Sequence, residues 1–301
     1  MGYQGSAAEY GSFDATIRKA PASPKRPLNV FAVMVCLCVP VTIFFIVCYS
    51  LSKLKTTSAA LANISVALAG VVAFGSAVHA GYTLWKRAYG LSTRDPFWYI
   101  FLGFTSVVAW CSGHWLGDHN WTGNVTPYFA LQALDSHFDV DPSVEAGIEH
   151  IDAGRITFKA GSKLNLTQSM GFKSRDQYCV TPIVRNTAPQ SYDYWAIGLN
   201  CCPGIPADFR CGDYASPNAR AGLRLVEEDQ RALYALAVQQ AEATYGIQAT
   251  QPLFFYWLED PTAELESYKE EARRTVRLGS LSFGALQLFM VFFAMFIHSK
   301  L

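Results

Sequence analysis

Residues 192–204 read YDYWAIGLNCCPG, an aromatic run followed by two adjacent cysteines and a Pro-Gly pair. Aromatic and β-branched residues are typical of strands, and a Pro-Gly pair marks a turn. These residues lie in the one long polar segment of a chain whose other parts are mostly apolar. We therefore predict that they form the centre of a folded module held between membrane helices.

Four cysteines belong to the polar segment: Cys179, Cys201, Cys202 and Cys211. Neighbouring cysteines rarely bridge each other, because a disulfide needs Cα atoms about 5.5 Å apart while neighbours lie about 3.8 Å apart. Two pairings stay open, in which Cys179 bonds either Cys201 or Cys202 and Cys211 bonds the other. If a strand continued through both adjacent cysteines, their side chains would point to opposite faces.

A zinc site and a catalytic thiol are the alternatives to disulfides. The spacing contains no Cys-x-x-Cys pair, which is typical of zinc sites. No cysteine of the segment adjoins a helix start or a basic cluster that would activate a thiol. We therefore predict structural disulfides, and we assign no catalytic, metal-binding or cofactor-binding residue from the sequence.

The rest of the polar segment, residues 117–277, predicts an α+β module with a core of its own. Residues 155–159, 177–184 and 192–199 are strand-like runs bounded by turn formers. Residues 227–245 have apolar residues at helical spacing with polar residues on the opposite face, and Gly246 follows them. This pattern predicts an amphipathic helix. Residues 253–258 form a short aromatic run, which predicts a strand or a buried turn.

A final helix is predicted to begin at Asp260 and Pro261, which suit the N-cap and the first helical position. No helix breaker follows before the last apolar run. We expect one long helix that couples the module to the membrane.

Four apolar runs are long enough to cross a hydrocarbon core of about 30 Å. They cover residues 30–51, 58–84, 97–116 and 278–298. The second run repeats small residues at four-residue spacing, which lets helix backbones approach closely. This face predicts contact with a membrane-protein partner or with a second copy of the chain. The small, polar and Pro-rich residues 1–29 predict a disordered tail.

The distribution of Lys and Arg beside the spans favours cytoplasmic termini, although Arg273, Arg274 and Arg277 oppose this rule. The module would then lie outside the cell or in a lumen, of the plasma membrane or an endomembrane, where disulfides form. Three Asn-x-Thr sequons in the module, at Asn120, Asn124 and Asn165, predict glycosylation there. The start Met-Gly also fits a loose myristoylation pattern at Gly2, but an ordinary start explains it as well.

The acidic residues 126–152 include Asp139 and Asp141, spaced like the start of a calcium loop. The glycine and the terminal glutamate that such a loop requires are missing, so we predict a solvated acidic face and no metal. The formal net charge is zero, and no basic patch with interleaved aromatics occurs. The lipid bilayer is the expected partner, and nucleic acid is not.

The run YWAIGLNCC at residues 194–202, followed by FRCG at 209–212, resembles a segment of uncharacterised multi-pass membrane proteins of algae and related protists. That resemblance implies no known activity. The order of spans, with a large loop and a double cysteine between the third and the fourth, is similar to tetraspanins, which implies an organiser of membrane partners. The chain has Pro203 where the tetraspanin signature has glycine.

The expected function is non-catalytic: an extracytoplasmic module that binds or organises a partner. Tyr192, Tyr194 and Phe209 are the candidate interaction surface, because aromatic residues dominate interfaces, whereas Trp195 is predicted in the core. A transporter or channel subunit is one alternative, indicated by His79 and His114 in the spans. A membrane-anchored ectoenzyme is another, but no catalytic motif with a defined spacing is present.

Overall fold

The computed structural model describes residues 30–92, 95–204 and 208–300. Among these residues, four helices are long and apolar enough to cross a membrane, which confirms the number of predicted spans. The predictions for residues 1–29, including Gly2, lie outside the described residues.

The first and third spans continue beyond their predicted ends because π-helical turns prolong them. The second continues as α-helix to Ala88. α1 and the short α2 are joined by the turn Ser50–Leu54, and α4 and α5 by the turn Trp121–Val125. The helices are α1 Val30–Tyr49, α2 Lys55–Thr57, α3 Ala59–Ala88, α4 Phe97–Asn120 and α5 Thr126–Gln132. Ser58, whose side chain accepts from the Leu61 amide, caps α3.

The small-residue face of α3 packs inside the bundle. Ala69 and Ala73 lie in one buried cluster with Ala109 of α4. A Cβ added at Gly103 of α4 would lie 2.9 Å from the Cα of Ala77, which shows how closely the two backbones approach. α4 therefore covers this part of the face, and contact with a membrane-protein partner or a second copy stays a prediction.

The module is a mixed eight-stranded sheet with the order β1-β2-β7-β8-β6-β5-β3, and β4 pairs with β5. β1 with β2 and β6 with β8 are parallel, and the other pairs are antiparallel. The strands are β1 Asp135–Val140, β2 Ala153–Phe158, β3 Lys163–Leu164, β4 Met170–Lys173, β5 Gln177–Val184, β6 Tyr194–Leu199, β7 Ala221–Arg224 and β8 Leu253–Leu258.

β6 is buried on both faces, because its side chains point alternately to the two faces of the sheet and pack into two separate cores. Trp195 and Ile197 pack against Tyr234 of α6, the helix Glu228–Tyr245. Tyr194 and Ala196 pack on the other side with aromatic residues of β2 and β8 and with the disulfide-bonded loop. The predicted core position of Trp195 is confirmed.

α7 is one uninterrupted helix, Pro261–Lys300, of 40 residues, as predicted. At 1.5 Å per residue it is about 60 Å long, roughly twice the thickness of a hydrocarbon core. Leu265 of α7, Leu131 of α5 and Leu223 of β7 form one buried cluster. This cluster joins the sheet to two helices that continue from the membrane bundle.

Candidate functional site: the 135–152 segment

The disulfides pair Cys179 with Cys202 and Cys201 with Cys211, one of the two arrangements that stayed open. β6 ends before the cysteines, because Asn200 adopts a left-handed conformation with φ of 58°, which asparagine tolerates better than most residues. The chain therefore turns there, and both disulfides lie on one side of the sheet. With all four sulfurs bonded in pairs, none of them is a free thiolate in this structure.

Gly198 of β6 lies beneath the disulfides. A Cβ at this position would lie 2.5 Å from the Cys201 sulfur and would also overlap Cys211. The glycine in YWAIGLNCC is thus required by close packing against the disulfide that joins Cys201 to Cys211.

The candidate aromatic surface is wrong for two of its three members. Tyr194 and Phe209 are fully buried in the core beside the disulfides. Tyr192 is partly buried and packs against the cluster that contains α6. These side chains are needed inside the module, so they offer little surface to a partner.

The sequon at Asn120 is not available to a glycan. Its side chain is buried, and its Nδ2 donates to Ser52 Oγ (3.0 Å) and to the Ala272 carbonyl (3.0 Å). Asn124 Nδ2 donates to Asn120 Oδ1 (2.9 Å) within the same helical segment. Glycosylation at Asn165, in the connection after β3, stays a prediction.

Among the described residues of the sheet module, residues 135–152 instead form the most exposed apolar part. Four large side chains in this segment are at least half exposed: Phe138 (75%), Val144 (80%), Ile148 (61%) and Ile151 (50%). Such residues usually lie in a core or mark an interaction site when several occur together. The acidic sequence predicts a solvated face here, and it does not predict the strand β1.

Phe138 is exposed because β1 contains a bulge. His137 pairs with Ile156 and Val140 with Phe158, so two residues of β1 oppose one residue of β2. Asp139, the second of the two, has a φ of 56°. A bulge of this kind redirects a side chain, and β1 is an edge strand, so Phe138 has no neighbouring strand to cover it.

A chain of four side chains crosses the same segment. Glu145 Oε2 lies 2.9 Å from His150 Nε2, the Nδ1 atoms of His150 and His137 lie 3.2 Å apart, and His137 Nε2 lies 3.1 Å from Asp152 Oδ1. His150 is buried, whereas the two carboxylates are partly exposed. The segment is therefore held together by side-chain contacts between its strand and its loop.

Glu145, Glu149 and His150 also bring three potential metal ligands within 4.8 Å of one another. Carboxylate and imidazole ligands suit zinc and related divalent ions. His150 Nε2 already pairs with Glu145, however, so a metal would have to displace this hydrogen bond.

Asp193 anchors this segment to the sheet. Its carboxylate accepts from the Gly147 amide (2.9 Å), the Ser191 hydroxyl (2.6 Å) and the amides of Thr250 (2.9 Å) and Gln251 (3.0 Å). Burial raises the pKa of Asp193, but these hydrogen bonds outweigh it and hold the pKa below its ordinary value. The 3₁₀ turn Gly147–His150 is thereby fixed beside the start of β8.

We expect Asp193→Asn to lower the free energy of unfolding by about 1–3 kcal/mol at neutral pH. One carboxylate oxygen is replaced by an amide nitrogen, which cannot accept a hydrogen bond. A lowered folded-state pKa contributes stability above the unfolded-state value, about 3.9, and this contribution is lost as the pH falls through the lower folded-state value. Thermal unfolding measured from neutral to acidic pH should show that the difference in unfolding free energy between wild type and variant becomes smaller as the pH falls. Asp208→Asn, at an exposed ion pair, is the control, with little change expected.

Comparison of the chain with protein-family models, curated proteins and solved structures finds no match. Four apolar helices of spanning length, a mixed sheet and its disulfides are consistent with an integral membrane protein that carries a folded module. The resemblances to algal and protist membrane proteins and to tetraspanins stay predictions.

Proposed function

We propose that this chain is a non-catalytic membrane protein whose sheet module binds a protein partner through the 135–152 segment. The observation that supports this best is the exposure of Phe138, Val144, Ile148 and Ile151 on one short segment. Large apolar side chains form the centres of interfaces, and the polar groups around them supply specificity. The carboxylates of Glu145 and Asp152 and the imidazoles of His137 and His150, on the same segment, would form such a rim.

The rigid attachment of the module suits a protein that positions a partner relative to the membrane. α7 runs unbroken from the module into the last span, and the cluster of Leu131, Leu223 and Leu265 fixes the sheet against it. Cytoplasmic termini and an extracytoplasmic module belong to the same proposal. The support for them is the basic residues beside the spans and the disulfides, which persist in oxidising compartments.

The test is co-purification of the full chain from its native membrane in mild detergent, with quantitative mass spectrometry of bound proteins. We expect a stoichiometric partner with wild type and about tenfold less of it with the double variant Phe138→Ala and Ile148→Ala, since buried anchors of this size contribute more than 1 kcal/mol each. Leu199→Ala is the matched control, because Leu199 is exposed on β6, four strands away from β1.

Two results would contradict the proposal. One is recovery of the same partner at unchanged yield with the double variant. The other is the absence of any stoichiometric partner with wild type, after cross-linking in the membrane before extraction.

A further inference from the structure

A cavity of about 720 Å³ opens between the end of α1, α5 and the middle of α7. Its lining is mainly apolar and includes Phe45 and Tyr49 of α1 and Val276 of α7. We call it the interfacial cleft. It shares no residue with the 135–152 segment, so the inference below stands or fails independently of the proposed function.

The interfacial cleft lies where the helices change from apolar to charged sequence. After α1 the first charged residue is Lys53, in the turn Ser50–Leu54. Along α4 the first is Asp118, and along α7 Arg277 is the last one before the apolar run. Asn120 of α4 donates to both Ser52 and the Ala272 carbonyl, so these changes occur at one height in the bundle. This height corresponds to the headgroup region of a bilayer.

The charged lining of the cleft is mostly positive. Lys53, Lys269, Arg273 and Arg277 face it, whereas Glu270 is the carboxylate among the described lining residues. This arrangement gives the mouth of the cleft an excess of three positive charges over the described lining residues. Lipid phosphates and carboxylates are the anions available at this height.

The existing ion pairs leave Lys53, Arg273 and Arg277 available, whereas Lys269 pairs with Glu266 at 2.9 Å. Glu270 pairs with both Arg277 and Arg273, the latter at 3.8 Å, and all three side chains are more than half exposed. Exposed pairs of this kind contribute little, because water screens them. Among the described residues, no carboxylate pairs with Lys53. A phosphate at the mouth would therefore gain more than it displaces, and Arg offers it paired donors.

We propose that the interfacial cleft binds one anionic phospholipid of the adjacent leaflet. The phosphate lies against Lys53, Arg273 and Arg277, and the acyl chains follow Phe45 and Val276 towards the bilayer centre. Basic pockets between transmembrane helices bind anionic headgroups in this way. The net positive charge selects a headgroup of net negative charge over a zwitterionic one. The proposal also explains why Arg273 and Arg277 occur on the side that the positive-inside rule leaves poor in basic residues.

The experiment is native mass spectrometry of the purified full chain with dioleoylphosphatidylglycerol or dioleoylphosphatidylcholine added in detergent. We expect wild type to retain one molecule of phosphatidylglycerol at least tenfold better than phosphatidylcholine. The triple variant Lys53→Gln, Arg273→Gln and Arg277→Gln should retain at least tenfold less phosphatidylglycerol than wild type. Its retention of phosphatidylcholine should be unchanged.

The control variant is Lys173→Gln, Arg231→Gln and Arg274→Gln, which removes the same charge at residues that do not line the cleft. It should bind phosphatidylglycerol like wild type. Equal binding of both lipids to wild type, or equal losses in the two triple variants, would overturn the proposal. Competition by millimolar inorganic phosphate as strong as that by the lipid would also overturn it, because the site would then bind the free anion. The single variant Arg277→Lys, which keeps the charge, should bind the lipid even if the triple variant does not fold.

Discussion

Trp195→Ala is expected to lower the free energy of unfolding of the module by about 3–5 kcal/mol, the usual cost of removing a buried tryptophan. Trp195 is fully buried between the sheet and α6. Its indole Nε1 donates to the Tyr192 carbonyl at 2.6 Å. The variant therefore leaves a large cavity and also an unpaired carbonyl in the core.

Thermal unfolding of the purified chain, followed by near-ultraviolet circular dichroism, measures this effect. A module of this size loses roughly 2–4 °C in Tm for each kcal/mol. Trp115→Ala is the matched control, because Trp115 lies exposed on the outside of α4 and the bundle does not enclose it. Equal and small shifts for both variants would show that Trp195 is not a core residue of the module.

Removal of either disulfide is expected to cost about 3 kcal/mol, because each restricts the unfolded chain. The bond between Cys179 and Cys202 spans 23 residues and the bond between Cys201 and Cys211 spans 10, so the first double serine variant should be slightly less stable than the second. Each variant also removes sulfurs from the core that surrounds Tyr194 and Phe209.

Unfolding of the two double variants, compared with wild type under reducing and non-reducing conditions, tests this prediction. Cys38→Ser and Cys111→Ser are the controls, since both thiols are free and exposed on the membrane helices. Peptide mapping without reduction identifies the pairing directly. Recovery of Cys179 linked to Cys201 would contradict the arrangement described above, and four free thiols would also contradict the oxidising compartment.

Local sequence patterns were sufficient to predict the elements that have a strong hydrophobic periodicity or a distinctive composition. The predicted strand at residues 177–184 has the bounds of β5, and the predicted helix at 227–245 differs from α6 by one residue. The run 253–258, predicted as a strand or a buried turn, has the bounds of β8. The continuity of α7 followed from the lack of a breaker between Pro261 and the last span. Each of these features depends on interactions between residues close in sequence.

Elements that depend on a distant neighbour were missed. β1 carries Asp135, His137 and Asp139, and its backbone is a strand because β2 supplies its hydrogen bonds. β7 is four residues long and pairs with β2 and β8, both remote in sequence. Short or charged strands of this kind have no local signal strong enough to identify them.

The sequence of this protein by itself determined the four apolar spans, the polar module between the third and the fourth, and the disulfide-forming role of its cysteines. These features depend on the length and hydropathy of continuous segments and on the geometry of disulfide bonds, which can be evaluated without knowing which distant segments pack together. The tertiary structure alone decided that Tyr194 and Phe209 are buried, that Asn120 joins three helices, and that Phe138 and the interfacial cleft are exposed. Burial depends on which distant segments pack together, and an aromatic residue suits a core and an interface equally well.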